Sequence, residues 1–319
     1  MIAILKHPLS LLSIAAALSL STNAQDTGIS RRDVARPVIP PVLPGTTENA
    51  GSPRLPAAPS LSPTSDYGEQ EVLVPAGKPD VFNLGINAGF DFQSNAPLSP
   101  FDQESDTLWR QSASLRATVP LSPALYFDAG LQQQTLRYDE FEFLDFDRID
   151  TGARLLWALP GNLPAPLAGS ILSFSAAYYR LSEAGHPGDE LLTDTSIGLG
   201  LLRIFSLNRN QNILVSTTAD VSVDTTNDLA QRHEYAAVSA WVARWTPHWE
   251  TNLFGRAALY DYDQHDDWNL IAGAGIDWIP HPNVRIGISA SYALNESDDP
   301  LFSYRNATVG TTLRASISF

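Results

Sequence analysis

Apolar and polar residues alternate along most of the chain after residue 80. In the first such segment, 81–93, every second residue from Phe82 to Phe92 is apolar, and Asn, Gly or Asp stands between most of them. A period of two is typical of a β-strand with one apolar face. The pattern recurs, and it predicts twelve strands, at residues 81–93, 107–119, 124–137, 147–159, 170–181, 194–206, 211–224, 234–246, 248–261, 267–279, 283–295 and 303–319.

The length of these strands indicates what kind of sheet they form. They run to about 12 residues, whereas strands of globular proteins average about 5–6 and a tilted membrane-spanning strand needs about 9–11. No segment after the first 24 residues reaches the roughly 18 apolar residues of a transmembrane helix. Lipid offers no hydrogen-bond partner to an open sheet edge, so spanning strands must close into a barrel. We therefore predict an all-β fold, a twelve-stranded antiparallel transmembrane β-barrel.

The predicted connections alternate between two kinds. One set is mostly tight and marked by proline, as at Pro120–Pro123 and Pro280–Pro282; the other is longer and acidic, as at 94–106 and 182–193. Short periplasmic turns and longer external loops are the expected asymmetry of membrane barrels. None of the acidic loops looks long enough to fold deep inside. Aromatic residues collect near the predicted strand ends, including six of the seven Trp, as in the girdles of such barrels.

The first 80 residues differ from the rest. Residues 1–24 have one early cation (Lys6), a short apolar stretch and a Thr22-Asn23-Ala24 cleavage site, the three regions of a secretory signal peptide. Residues 25–80 are rich in proline and lack periodicity, which predicts a disordered periplasmic linker. The predicted domains are therefore a signal peptide (1–24), the Pro-rich linker (25–80) and the barrel (81–319).

The chain ends in an alternating run, 311–319, that stops on Phe319. This run resembles the last strand of bacterial outer-membrane β-barrels, whose terminal Phe is a signature for the barrel-assembly machinery. The resemblance implies an outer-membrane location, with lipid and lipopolysaccharide around the barrel and the assembly machinery as a partner. The even number of strands places the C-terminus in the periplasm beside the linker.

Charge and composition exclude some classes of function. The net charge of −15 would repel the phosphates of nucleic acid. The chain has no Cys, which excludes disulfides and thiolate metal sites. The acidic loops offer oxygen ligands but lack the Asp/Asn/Gly order of a calcium loop, so we predict neither a cofactor nor a specific metal site.

If the apolar positions face lipid, the other positions face the lumen, and the charged residues among them are its candidate functional groups. Charges of opposite sign on neighbouring strands are expected to pair, with Arg116, Asp128 and Arg154 at one height and Glu250, Asp277 and Arg285 at another. The predicted lumen-lining set is Arg110, Arg116, Asp128, Asp150, Arg154, Asp220, Glu250, Arg256, Asp277, Arg285 and Arg314.

Two interpretations of this set stay open. The charges form either a structural network that partly fills the lumen or a constriction that selects small solutes. The leading prediction is a passive, narrow channel for small hydrophilic solutes. The alternative is a closed-lumen structural or surface-interaction barrel that acts through its acidic external loops or the linker.

Enzymatic function is the weakest alternative, and we predict that the protein is not an enzyme. No His lies in the middle of a predicted strand, so a Ser–His pair on the lipid face has no support. Two fragments, Asp145-Phe146-Asp147 and Asp263-Gln264-His265, resemble the Asp-x-Asp and Asp-x-His of omptin proteases. Omptins have ten strands, however, and the rest of the chain shows no further match.

Overall fold

The computed structural model describes residues 81–101, 103–164, 167–208, 210–227 and 231–319, so the predicted signal peptide and linker lie outside the described residues. The described chain forms twelve strands of 12 to 23 residues. They are β1 (Phe82–Gln93), β2 (Asp106–Ser122), β3 (Leu125–Tyr138), β4 (Phe146–Ala158), β5 (Ile171–Glu183), β6 (His186–Asn208), β7 (Gln211–Thr225), β8 (Arg232–Thr246), β9 (Trp249–Tyr262), β10 (Asp266–His281), β11 (Val284–Ser297) and β12 (Tyr304–Ser318).

Each strand pairs with its neighbours in sequence, and β1 pairs with β12 to close the barrel. The predicted twelve-stranded antiparallel β-barrel is confirmed. The closing seam runs antiparallel from Asn83 opposite Ser318 to Gln93 opposite Thr308. At its end the backbone oxygen of Phe319 accepts hydrogen bonds from the N–H groups of Val81 and Phe82. Closure leaves no strand edge unpaired, as a lipid environment requires.

The outer face of the barrel is apolar. Along β1 the residues Leu84, Ile86 and Phe90 are exposed, while Asn87 and Asp91 between them turn inward. The same alternation continues around the barrel and leaves Ile288 and Ile317 more than half exposed. Exposing this apolar surface to water would be energetically unfavourable, whereas contact with lipid acyl chains is not. Among the described residues, no helix is long and apolar enough to cross a membrane.

The two ends of the barrel differ. We call the end that carries Phe319 and the even-to-odd turns the terminal end, and the opposite end, where β1 leads into β2, the loop end. Turns at the terminal end are short, except for residues 159–170 between β4 and β5. At the loop end, connections 94–105, 139–145, 226–231 and 298–303 are longer.

One loop-end connection differs from its prediction. The acidic segment 182–193 is not a loop, because β5 and β6 continue as a paired hairpin to Glu183 and His186. Only Ala184 and Gly185 form the turn, and Gly185 has a φ of +72°, a conformation that glycine adopts at no steric cost. The local Gly and Pro residues suggested a loop, whereas the strand pairing continues past them.

Candidate functional site in the lumen

Near the terminal end, one carboxylate joins two guanidinium groups on neighbouring strands. Asp128 on β3 accepts hydrogen bonds from Nε of Arg116 at 2.8 Å and from Arg154 Nη2 at 3.2 Å. Asp128 opposes Arg154 directly in the β3–β4 register, so the pairing follows from the sheet. Its side chain is only 3% exposed, and both charge-assisted bonds compensate its burial.

A second charged group lies at the same end. Glu250 on β9 pairs with Arg285 at 2.7 Å and with Arg244 at 3.1 Å. Arg285 lies on β11, so its side chain crosses β10 to reach Glu250. Asp277 on β10 lies opposite Glu250 in the β9–β10 register and 3.8 Å from Arg314. Glu250, Asp277 and Arg285 therefore lie at one height, as predicted, and Arg244 and Arg314 extend the group.

Closer to the loop end, three further ion pairs line the wall. Asp91 lies 3.1 Å from Arg110, and Arg256 lies 2.6 Å from Glu234. On β4, Nε of Arg148 donates to Asp150 at 2.8 Å. Asp91, Arg148 and Glu234 were not in the predicted set. Asp91 has the inward parity of β1 in the sequence, so the alternation that identified the others also identifies it.

Small residues on neighbouring strands make room for the inward carboxylates. A Cβ on Gly310 would overlap the carboxylate of Asp91, which lies across it. Gly287 accommodates Asp277 in the same way, and the predicted lumen residue Asp220 lies across Gly198. These side chains therefore lie flat against the wall, which leaves space at the centre of the barrel.

That space includes a cavity of about 550 Å³ in the loop-end half of the lumen. Strands β1–β4 form one wall and strands β8–β12 the other. Of the predicted lumen residues, Arg110, Asp150 and Arg256 line this cavity. Asp220 lies opposite Glu234 in the β7–β8 register, and the remaining members of the set lie in the ion-paired groups nearer the terminal end.

An apolar cluster, which we call the apolar cap, lies at the loop-end mouth. Leu108 and Leu136 have the same inward parity as Arg110 and Gln134, and with Leu98 they line the loop-end side of the cavity. At the mouth, short loops meet these inward apolar side chains from the strands. The cap comprises Ala96, Leu108, Leu136, Tyr138, Leu144, Phe146, Tyr179, Leu181 and Leu192, with Leu98, Phe141, Leu191 and Phe302 packed against them.

Two buried polar side chains hold the loops of the cap. Asn95 is fully buried. Its side-chain nitrogen donates to the backbone oxygens of Ser99 and of Arg305 on β12, and its side-chain oxygen accepts a hydrogen bond from the N–H of Ser99. Asp106 accepts hydrogen bonds from the backbone N–H groups of Glu140 and Phe141. Such bonds replace the water that these loop backbones would otherwise bind.

Asp145, at the end of the 139–145 connection, accepts a hydrogen bond from the N–H of Tyr138 at 2.6 Å. Burial raises the pKa of the Asp145 carboxyl, and this hydrogen bond and the nearby Arg137 oppose the rise.

On the β8–β12 side of the mouth, an aromatic stack continues the cap. The ring of His265 lies between Tyr262 and Phe302, with centroid distances of 4.4 and 4.2 Å. Arg232 is buried over the ring of Tyr260 at 3.9 Å and donates to the Tyr262 hydroxyl at 2.6 Å. Since Phe302 packs against the apolar cap and stacks on His265, the stack and the cap form one continuous layer at the loop end.

Asp147 and His265, from the two fragments that resemble omptin motifs, contact neighbouring residues at the loop end. Asp147 bonds Arg137 at 2.8 Å and the backbone N–H of Gly185 at 3.1 Å. Nε2 of His265 lies 3.5 Å from Asp267, while Asp263 of the same motif is exposed. These contacts fit a structural role for the enclosed His265.

Exposed groups at the tip of the β5–β6 hairpin include side chains that can ligate a metal ion. Glu183, His186 and Asp189 each bring one ligand atom within 4.8 Å of the others. All three side chains are exposed, and exposed groups of this kind are common without a bound ion.

The terminal residue is placed on the barrel surface. The ring of Phe319 is 62% exposed and stacks on Phe82 at 5.7 Å, across the closing seam. Its main chain continues the β1–β12 pairing, with its N–H donating to the oxygen of Phe82.

Together, the closed wall, the apolar outer face and the charged interior define a transmembrane β-barrel of the type found in outer membranes. No protein-family model and no curated protein matches the chain. Among solved structures it is similar to an outer-membrane channel from Pseudomonas putida F1, with 12% identity over 80% of this chain and 100% of that one and a TM-score of 0.48.

Two further solved structures are similar at the same low level. The NanC porin has 8% identity over 73% of this chain and 98% of that one, with a TM-score of 0.41. The β domain of the Bordetella autotransporter BrkA has 12% identity over 75% of this chain and 100% of that one, with a TM-score of 0.44. Values this low transfer neither a solute nor an activity to this chain.

Proposed function

We propose that the protein is a passive, narrow outer-membrane channel for small hydrophilic solutes. The observation that carries this proposal is the cavity of about 550 Å³ inside a closed wall, lined largely by charged, amide and hydroxyl side chains. A structural barrel needs no such internal space, since an apolar or fully packed interior would stabilise it equally well.

The inward charges would give the channel modest selectivity. Opposite charges face one another at two heights, so a passing ion meets both signs in a lumen of low dielectric. The proposed lining is the predicted set, Arg110, Arg116, Asp128, Asp150, Arg154, Asp220, Glu250, Arg256, Asp277, Arg285 and Arg314, with Asp91, Arg148 and Glu234 added.

The location and partners follow from the same proposal. The loop end would face outward among lipopolysaccharide, and the terminal end, with the linker and the C-terminus, would lie in the periplasm. Phe319 would act as the signal for the barrel-assembly machinery. Its exposed ring at the closing seam supports this role, because the ring is not buried in the barrel.

Ion selectivity tests the role of the charges. Arg256→Ala should shift the reversal potential in a salt gradient toward cation selectivity, because Glu234 then lacks its partner at 2.6 Å. Arg305→Ala is the matched control, since Arg305 is exposed on the outer side of β12. An unchanged reversal potential for Arg256→Ala, in protein that still folds, would contradict the proposal.

The apolar cap supports a second candidate, a closed-lumen structural or surface-interaction barrel. A layer that closed the mouth would exclude water and ions at that level. In that case substitutions in the cap would leave the protein without conductance, and the acidic loop end would carry the function. An omptin-like hydrolase would require His265, whose ring is enclosed in the aromatic stack.

A further inference from the structure

The cavity presents a specific combination of groups, and we infer that it is a binding site for an uncharged cyclic polyol such as a hexose. This inference rests on the proposed function and names the class of solute. Three features of the cavity point to such a ligand: its compensated charges, its unpaired donors and the apolar part of its wall.

The first step is that the cavity has no uncompensated charge. Each of the three carboxylates that line it, Asp91, Asp150 and Glu234, is ion-paired with one of the three guanidinium groups that line it. A charged solute would lose its hydration and find no free counter-charge in return, which is unfavourable. A neutral polar solute avoids that cost.

The second step is that one wall holds two donors without a partner. Nε of Arg110 and Nε2 of Gln134 are buried and have no hydrogen-bond acceptor among the described residues. Gln134 is 3% exposed and lines the cavity. Arg110 lies opposite Leu136 in the β2–β3 register, so Gln134 is its diagonal neighbour, about 7–8 Å away along the wall.

Acceptors line the same cavity as these two donors, and this combination selects the chemical group of the ligand. The carboxylate of Asp150 and the hydroxyls of Ser289 and Ser291 line the same cavity. A hydroxyl group both donates and accepts, so it can bond a surface that offers both roles. An unsatisfied buried donor is costly, and a bound hydroxyl would remove that cost.

The third step is that the opposite wall has an apolar part. Phe254 lies across Gly273 of the next strand, where a Cβ would meet its ring, and Val238 and Ile271 lie in the same wall. Aromatic and aliphatic groups with a few placed polar groups are typical of small-molecule sites, and the volume lies within their usual range of about 300–1,000 Å³. The C–H face of a sugar ring fits this wall, and its hydroxyl edge fits the other.

The test is equilibrium dialysis of the full-length folded protein, in a detergent without sugar headgroups, against radiolabelled D-glucose, D-glucuronate and D-glucosamine. These probes share one ring and differ in charge. We expect saturable binding of glucose, and binding at least about fivefold weaker for both charged analogues. Open-chain sorbitol should also bind more weakly than glucose, because it lacks the ring face that Phe254 contacts.

Two variants of β3 locate the site. Gln134→Leu should weaken glucose binding about fivefold, the effect of one lost hydrogen bond. Gln133→Leu, one residue away on the outer face, should bind glucose as the unmodified protein does. If Gln134→Leu does not fold, Gln134→Glu replaces it and should shift the preference from glucose toward glucosamine.

The outcomes separate this inference from the proposed function. Non-saturable glucose uptake, equal binding of glucuronate, or unchanged binding by the Gln134 variant would overturn the inference. Binding needs no ion current, so a protein that binds glucose but is silent in bilayers would contradict the channel and leave the site standing. A conducting protein that binds no glucose would contradict the binding site and leave the channel standing.

Discussion

Replacing Asp128 by Asn should destabilise the barrel, because it leaves two guanidinium groups without their shared counter-charge. Removing one partner of a fully buried ion pair costs about 3–5 kcal/mol. Here the side chains of Arg116 and Arg154 remain 27% and 44% exposed, so solvent stabilises part of the freed charge. We therefore expect a loss of about 2–3 kcal/mol, the range of one or two charge-assisted hydrogen bonds.

The asymmetry of the cluster sharpens this prediction. Arg154→Ala removes only the more exposed partner, at 3.2 Å, and Asp128 keeps Arg116, so the loss should stay within about 1 kcal/mol. Asp263→Asn serves as control, since Asp263 is exposed in the β9–β10 connection and a change there should cost within about 0.5 kcal/mol.

The assay is reversible urea unfolding of the protein in lipid vesicles, followed by tryptophan fluorescence. A double-mutant cycle of Asp128→Asn with Arg116→Ala measures the coupling directly. Refutation would come from a loss for Asp128→Asn no larger than that of Asp263→Asn, or from additive effects of the two substitutions. Either result would mean that the inward charges do not stabilise one another.

Three further predictions concern the cap and the wall. Phe302→Ala removes the residue shared by the apolar cap and the aromatic stack, and should raise single-channel conductance; an unchanged conductance would contradict a closing role for this layer. Gly310→Val places a Cβ where the carboxylate of Asp91 lies, and should cost about 1–3 kcal/mol in urea unfolding. Burial raises the pKa of Asp145, so the ionised carboxylate destabilises the folded protein at neutral pH, and this cost disappears as the pH falls below the pKa of the unfolded chain. Asp145→Asn still accepts the Tyr138 N–H, so it should be more stable than the unmodified protein at neutral pH and lose this advantage at acid pH. Urea unfolding of both proteins at the two pH values measures the difference.

Matched substitutions serve as controls for these variants. Gly255→Val is the control for Gly310→Val, since a Cβ there meets only ordinary contacts at 3.7 Å or more. Leu301→Ala is the control for Phe302→Ala, because Leu301 is exposed in the same loop and lies outside the cap. Equal effects of a variant and its control would remove the structural reason given for that prediction.

The barrel could be predicted from the sequence because its strands have one apolar and one polar face. Along β10, for example, Trp268, Leu270 and Ile276 face lipid while Asn269 and Asp277 face inward, and this alternation is visible without any contact. Period, strand length and parity are local properties of the sequence. They therefore predict the number of strands, the order in which the strands pair, and which face of each strand is apolar.

The apolar cap could not be predicted in the same way. Leu108 and Leu136 have inward parity, and an apolar residue at an inward position is a signal in the sequence that apolar contacts form inside the barrel at that level. Their partners, such as Leu144 and Phe302, lie in short loops that meet only in three dimensions. The reach of Arg285 past β10 to Glu250 is likewise a property of side-chain length, not of register.

The measurement that tests the central claim most directly is single-channel recording of the refolded full-length protein in planar bilayers. The channel proposal predicts discrete, small, ion-selective current steps, together with larger steps for Phe302→Ala. Silence from both proteins, when fluorescence and circular dichroism show that they are folded and inserted, would contradict it and indicate a closed barrel that acts through its loop end.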